Sequence, residues 1–195
     1  GPRLTISGPW ITRIKLDGVP DSYQIVINSP TDAAAKTLEL IEQGSDIIKI
    51  WLGLTLEDMK AVVNAAHSKG VKVHAHLYKV PAMEKAIEAG VDVLQHVGSA
   101  KMPPYPAALL HKIAEDRIPV VQTVAHRIWV YPASIENPSR LDNPELEADI
   151  PADIYADMQR SFKNIRALSY FKDTPDEIRH STINARQFID ANAYM

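Results

Sequence analysis

Four times along the chain, a stretch with apolar residues three and four apart gives way to a short apolar run of strand length. Ser29 caps the first helix, with Pro30 at its first position and Asp32 three after the cap. Ala34, Ala35, Leu38 and Ile41 form its stripe, Gly44 stops it, and the strand 46–50 follows. Thr55 caps the second helix, with Asp58 at the capping-box position and Met59, Val62, Val63 and Ala66 on one face. Gly70 ends that helix ahead of the strand 71–76. Pro81 opens a third helix with Ala82, Met83, Ala86 and Ile87 inward, and Gly90 leads into the strand 91–96. A fourth helix, carrying Leu109, Leu110, Ile113 and Ala114, precedes the strand 118–124. Upstream, 4–7 is a short strand candidate, and 10–28 is irregular with 23–27 able to extend or pair. Downstream, 131–150 is a long connection containing Pro132, Pro138 and Pro144, expected to lie as a loop over the site face. The end, to about residue 193, is helical, at 153–170 and 175–190, and 192–195 reads as the approach to another strand.

Strands alternating with helices of this length mean βαβ units, right-handed crossovers and a parallel α/β sheet in a single domain over 1–195. Two closures compete. A doubly wound open sheet gathers its site at a switch point, usually with a glycine-rich phosphate turn, and no such turn occurs here. A (β/α)8 barrel of TIM type puts its chemistry at the C-terminal ends of consecutive strands. The polar residues favour the barrel. Lys49, His76 and His96 close the first three of these strands, at five, six and six residues beyond Gly44, Gly70 and Gly90.

Composition narrows the function. Of 195 residues, 46% are hydrophobic and 23% charged, which is ordinary globular usage. A net charge of -3 offers no basic footprint for nucleic acid, and no apolar run has the length of a membrane span. With no cysteine, disulfides and thiolate metal ligands are excluded.

Alternation puts Ile47, Lys49 and Trp51 on one face of their strand and Ile48 and Ile50 on the other, so apolar groups surround the ammonium. A lysine in a strand more often snorkels to water or pairs with a carboxylate. Buried without a partner, it becomes neutral, paired or modified, and a neutral amine forms either a Schiff base or a carbamate. A carbamate bridges two metals about 3.5–4 Å apart. A lone inward histidine is more often a hydrogen-bonded core residue than a ligand. His76 and His96, however, fall at matching strand levels 20 residues apart, and neutral imidazoles so placed suit zinc, manganese or iron.

Gly1-Pro-Arg-Leu, Gly44-Ser-Asp-Ile-Ile-Lys-Ile50, Ala65-Ala-His-Ser-Lys-Gly70, Val73-His-Ala-His-Leu-Tyr78 and Ala89-Gly-Val-Asp-Val-Leu-Gln-His96 together resemble the amidohydrolase superfamily. The resemblance is to its imidazolonepropionase-like and Xaa-Pro dipeptidase-like (prolidase-like) members, and covers most of 1–125. It implies a partial barrel, about strands three to seven. It implies that Lys49 is a carboxylated lysine bridging two divalent metals, zinc foremost, with carbon dioxide supplying the carbamate. His76 and His96 would be ligands of the more exposed metal, and Tyr78 would hold substrate. His74 has no counterpart and reads as structural or as an orienting group, and His67 as a local packing or capping residue. The family's His-x-His on strand one has no match here. Its general-base aspartate, at the end of strand eight, is expected beyond Met195. The chain would then carry half a site.

The leading expectation is therefore the central portion of a metal-dependent hydrolase of amide, peptide or related acyl bonds, using a metal-activated hydroxide. Thr123, level with the other strand ends, and Arg127, Trp129 and Tyr131 in the following loop are further candidates to contact a small-molecule or peptide-like substrate. Two alternatives stand beside it. Lys49 could act as a Schiff-base nucleophile of an aldolase or lyase. Or an incomplete barrel with open strand edges could be a scaffold, completed by a homo-oligomer or a complementing chain segment.

Overall fold

The computed structural model describes residues 2–17, 19–98, 102–124, 139, 142–163 and 174–195. Six strands form one sheet: β1 (Trp10–Thr12), β2 (Gln24–Val26), β3 (Ile47–Ile50), β4 (Lys72–His76), β5 (Val93–Val97) and β6 (Val120–Gln122). The order is β2-β1-β3-β4-β5-β6 and every pairing is parallel. The intervening helices are α1 (Pro30–Glu42), α2 (Leu56–His67), α3 (Val80–Ala89) and α4 (Ala107–Glu115). Three more follow, α5 (Pro144–Asp149), α6 (Ala152–Lys163) and α7 (Thr174–Asp190).

From β2 onward each crossover advances in the same direction across the sheet, so right-handed connections lay their helices on one face. Accordingly α1 packs on α2, α2 on α3 and α3 on α4. The single reversal, β1 to β2, is bridged by a 3-10 turn (Asp21–Tyr23) and adds no helix to the other face. The sheet is singly wound. Its helix-side residues Ile11, Ile48, Ile50, Val73, Ala75, Leu94 and Val120 are buried among Met59, Val62, Val63, Met83, Ala86, Leu110 and Ile113. Each fully buried side chain of this size contributes about 1.5–3 kcal/mol.

The caps read from the sequence are present. The Ser29 hydroxyl accepts from the Asp32 amide, and Thr55 and Asp58 form a reciprocal capping box. Several expectations need correction. Within 10–28, the stretch 23–27 able to extend or pair does so as β2, whereas β1, expected irregular, forms because the apolar Ile11 is buried between two strands. Residues 4–7 form no strand, although the Ile6 carbonyl accepts from the Asp46 and Ile47 amides. The buried stripe of α1 is Ala33, Thr37 and Leu40, one position from the predicted one, because the Thr37 hydroxyl is satisfied by the Ala33 carbonyl at 2.8 Å. The expected loop 131–150 becomes helical at α5, which Asn143 caps and Pro144 begins.

Residues 192–195, expected to approach another strand, reach the outer edge of β6. The Tyr194 carbonyl accepts from the Val120 amide at 2.8 Å. The Met195 sulfur accepts from the Gln122 side-chain amide at 3.1 Å, while the residue itself stays exposed.

Candidate metal-binding site at the strand ends

The face opposite the helices carries the polar groups. Register sets Lys49 beside His74 and His76 beside Gln95, so these side chains share that face. All four are half-buried, whereas their helix-side neighbours are fully buried. Among the described residues no carboxylate pairs with Lys49. Burial pushes its ammonium down to about 8. Nearby, Trp10 and Trp51 meet edge to face at 5.1 Å, and both indole N–H groups are buried without an acceptor.

His76 has a ring close by on each of two neighbouring strand ends. Trp51 stacks on it at 4.2 Å with planes 24° apart, and the His96 ring lies 4.0 Å away between centroids, tilted by 42°. Burial, then the proximity of His96, then that of Lys49, push His76 down to about 3. It is therefore neutral, the form in which imidazole binds a metal. Burial and Lys49 also lower His74, whose Nδ1 is 3.0 Å from the Gln95 amide nitrogen. That bond engages His74 locally and keeps Gln95 on the same face.

His76 and His96 do not lie at the same strand level, contrary to the expectation from glycine counting. His76 pairs with Gln95, so His96 stands one residue further along and, by strict alternation, belongs on the helix side. Two features return it. The β5–β6 register shifts between Gln95 and Val97, and His96 takes a left-handed φ of 64°. This bulge lets Gln95 and His96 both serve the polar face while Val97 stays buried. A non-glycine residue held in that region costs on the order of 1–3 kcal/mol, and such strain gathers at functional sites.

Of the other candidates, Tyr78 is half-buried with its ring 6.2 Å from that of His76. Thr123 sits half-buried just past the end of β6. Arg127, Trp129 and Tyr131 lie outside the described residues. His67 is engaged with Asp92 at 2.9 Å, away from the site and as expected of a local role. The general base, expected beyond Met195, gains no substitute among the described residues, since no carboxylate acts on Lys49 or His76. Sequence reasoning missed Gln95, which alternation from Val93 would have placed on the polar face. It also missed Tyr105, whose partners lie far away in sequence.

No family model and no curated protein matches the chain. Solved structures do. A prolidase complexed with N-methylphosphonate-L-proline superposes with a TM-score of 0.68 at 16% identity, covering 100% of this chain and 47% of that one. An amidohydrolase gives 0.65 at 18% identity, with 99% and 47% covered. The chain shares the fold of about half of each of these proteins. A Xaa-Pro dipeptidase with methionine bound in its active site gives 0.60 at 20% identity, covering 92% of this chain and 40% of its own. The chain thus spans about half the length of the amidohydrolase-fold proteins it matches.

The donor chemistry fits a divalent metal: two adjacent imidazoles, one of them held neutral, and an amine made easier to deprotonate. The number of donors is incomplete, since among the described residues no three His, Asp or Glu side chains converge to hold an ion.

Proposed function

We propose that this chain is the central part of a metal-dependent amidohydrolase, a partial (β/α)8 barrel covering about strands three to seven, to which most of the six described strands would correspond. In this reading Lys49, His76 and His96 hold one side of a divalent-metal site, with zinc the metal that best suits the imidazoles. One observation carries the proposal: the His76 and His96 rings meet at 4.0 Å at the ends of adjacent parallel strands. The left-handed backbone at His96 supports it, because that conformation accompanies the ring's approach to His76 and such strain gathers at functional sites.

Lys49 takes up carbon dioxide as a carbamate, for which a partly deprotonated amine, with no carboxylate partner among the described residues, is prepared. A metal bound here supplies Lewis acidity toward a carbonyl and lowers the pKa of water, suiting hydrolysis of an amide, peptide or related acyl bond. Tyr78, beside the His76 ring, and Thr123, just past β6, are the described residues that would contact a small-molecule or peptide-like substrate. The remaining metal donors and the general base come from outside these residues, whether from sequence beyond Gly1 and Met195, a complementing segment or a second copy.

The test is zinc content and hydrolysis of Xaa-Pro and N-acyl amino acid substrates by the intact protein, alongside alanine variants of the three residues. Variants that keep full metal and full activity would sink the assignment. The amine chemistry of Lys49 also suits a Schiff base. Borohydride trapping of substrate on Lys49, unaffected by chelators, would favour that second reading.

Lys49 carries a further expectation. A half-buried ammonium with no counter-ion among the described residues opposes folding, so Lys49→Met is expected to raise stability by about 1–2 kcal/mol in chelated, bicarbonate-free buffer. Thermal unfolding measures this. A variant less stable than the parent would show that Lys49 has a stabilising partner.

A further inference from the structure

We propose that Tyr105 is the positioning residue that sets the spacing of the His76–His96 pair; this rests on the reading of those histidines as metal donors. Tyr105 is 3% exposed, in the loop between β5 and α4. Its hydroxyl accepts from the Gly98 amide at 3.1 Å and donates to the Tyr78 carbonyl at 2.9 Å. Gly98 follows His96 by two residues and Tyr78 follows His76 by two. The phenol therefore joins the two strand ends just beyond the last β4–β5 backbone bond, from the Leu77 amide to the Gln95 carbonyl at 3.2 Å.

The clamp is itself fixed. The Gln187 side chain accepts from the Tyr105 amide at 2.8 Å and donates to the Tyr105 carbonyl at 3.0 Å. The ring meets Phe188, fully buried on α7, edge to face at 5.3 Å. Gly98 is held from the other side. Its φ is 75°, and a Cβ there would stand 3.4 Å from that of Asn184 on α7. Burial drives the phenol up to about 12, so it keeps the proton that it gives to Tyr78. Without the hydroxyl, one buried amide loses its acceptor and the two strand ends lose their tie.

Zinc affinity, read by competition with a chromophoric chelator on the full-length protein, tests this. Tyr105→Phe keeps the ring and is expected to weaken zinc binding about tenfold, the scale of lost orienting contacts around metal ligands. Phe188→Leu is the control, since it loosens the same packing but leaves the hydroxyl, and it should bind zinc as the parent does. The absorption spectrum of the cobalt-loaded protein should shift in Tyr105→Phe alone. Parental affinity and spectrum in Tyr105→Phe, or equal losses in both variants, overturn the positioning role while His76→Ala still reports on the ligand reading. Parental zinc binding in His76→Ala and His96→Ala overturns both.

Discussion

His76→Ala is expected to lose zinc and to lower hydrolysis by the intact protein at least about 100-fold, with little loss of thermal stability. His76 is half-buried, and its truncation removes a stacked contact with Trp51 rather than a core side chain. His74→Ala gives the contrast. The two histidines share one strand and one face, and both are lowered by burial. They differ in partner: His74 is bonded to Gln95, whereas His76 meets His96. His74→Ala should therefore retain metal and lose activity by about tenfold or less, through disturbance of its neighbours. Equal metal loss in both variants would mean that their partners do not distinguish them, and the ligand assignment would have to include His74.

These contrasts also explain what the sequence made legible. Helices and their starts were readable because their determinants are local: Ser29, Thr55 and Asp58 act within one turn of their own positions. Lys49 and His76 were readable because strict alternation governs β3 and β4. His96 was found for an incomplete reason. Its distance from Gly90 matched that of His76 from Gly70, but alternation placed it on the wrong face, and only the bulge restores it. A bulge is a tertiary choice, set by how β5 meets β6. Tyr105 is invisible for the same kind of reason, since Gln187 and Phe188, which hold it, come more than 80 residues later. The one-position error on α1 arose because Thr37 is buried, its hydroxyl bonding within its own helix.

A second large effect is expected at Asp58, where Asp58→Ala should cost about 3 kcal/mol of stability. Its side chain is fully buried, and it gathers four donors from two residues. Arg13 delivers Nε and Nη2 at 2.7 and 2.8 Å, and Thr55 delivers its amide and hydroxyl at 2.8 Å each. Arg13 also donates to the Asn28 carbonyl at 2.9 Å, so one carboxylate ties the ends of β1 and β2 to the start of α2. Removing it leaves a guanidinium without its partner and α2 without half its capping box. For a chain of this size the midpoint should fall by roughly 8 °C. The pH dependence separates charge from packing. Burial alone would raise the Asp58 pKa, but the bonds from Arg13 and Thr55 outweigh it and hold it below its ordinary 3.8. A carboxylate depressed in the folded state stabilises above its unfolded pKa, and that stability is lost as pH falls through the folded value. The gap between parent and Asp58→Ala should thus be full at neutral pH and shrink steadily below about pH 4. Urea unfolding across pH 2–7 measures it, and a gap that stays constant to the acid end would assign the loss to packing rather than to the carboxylate.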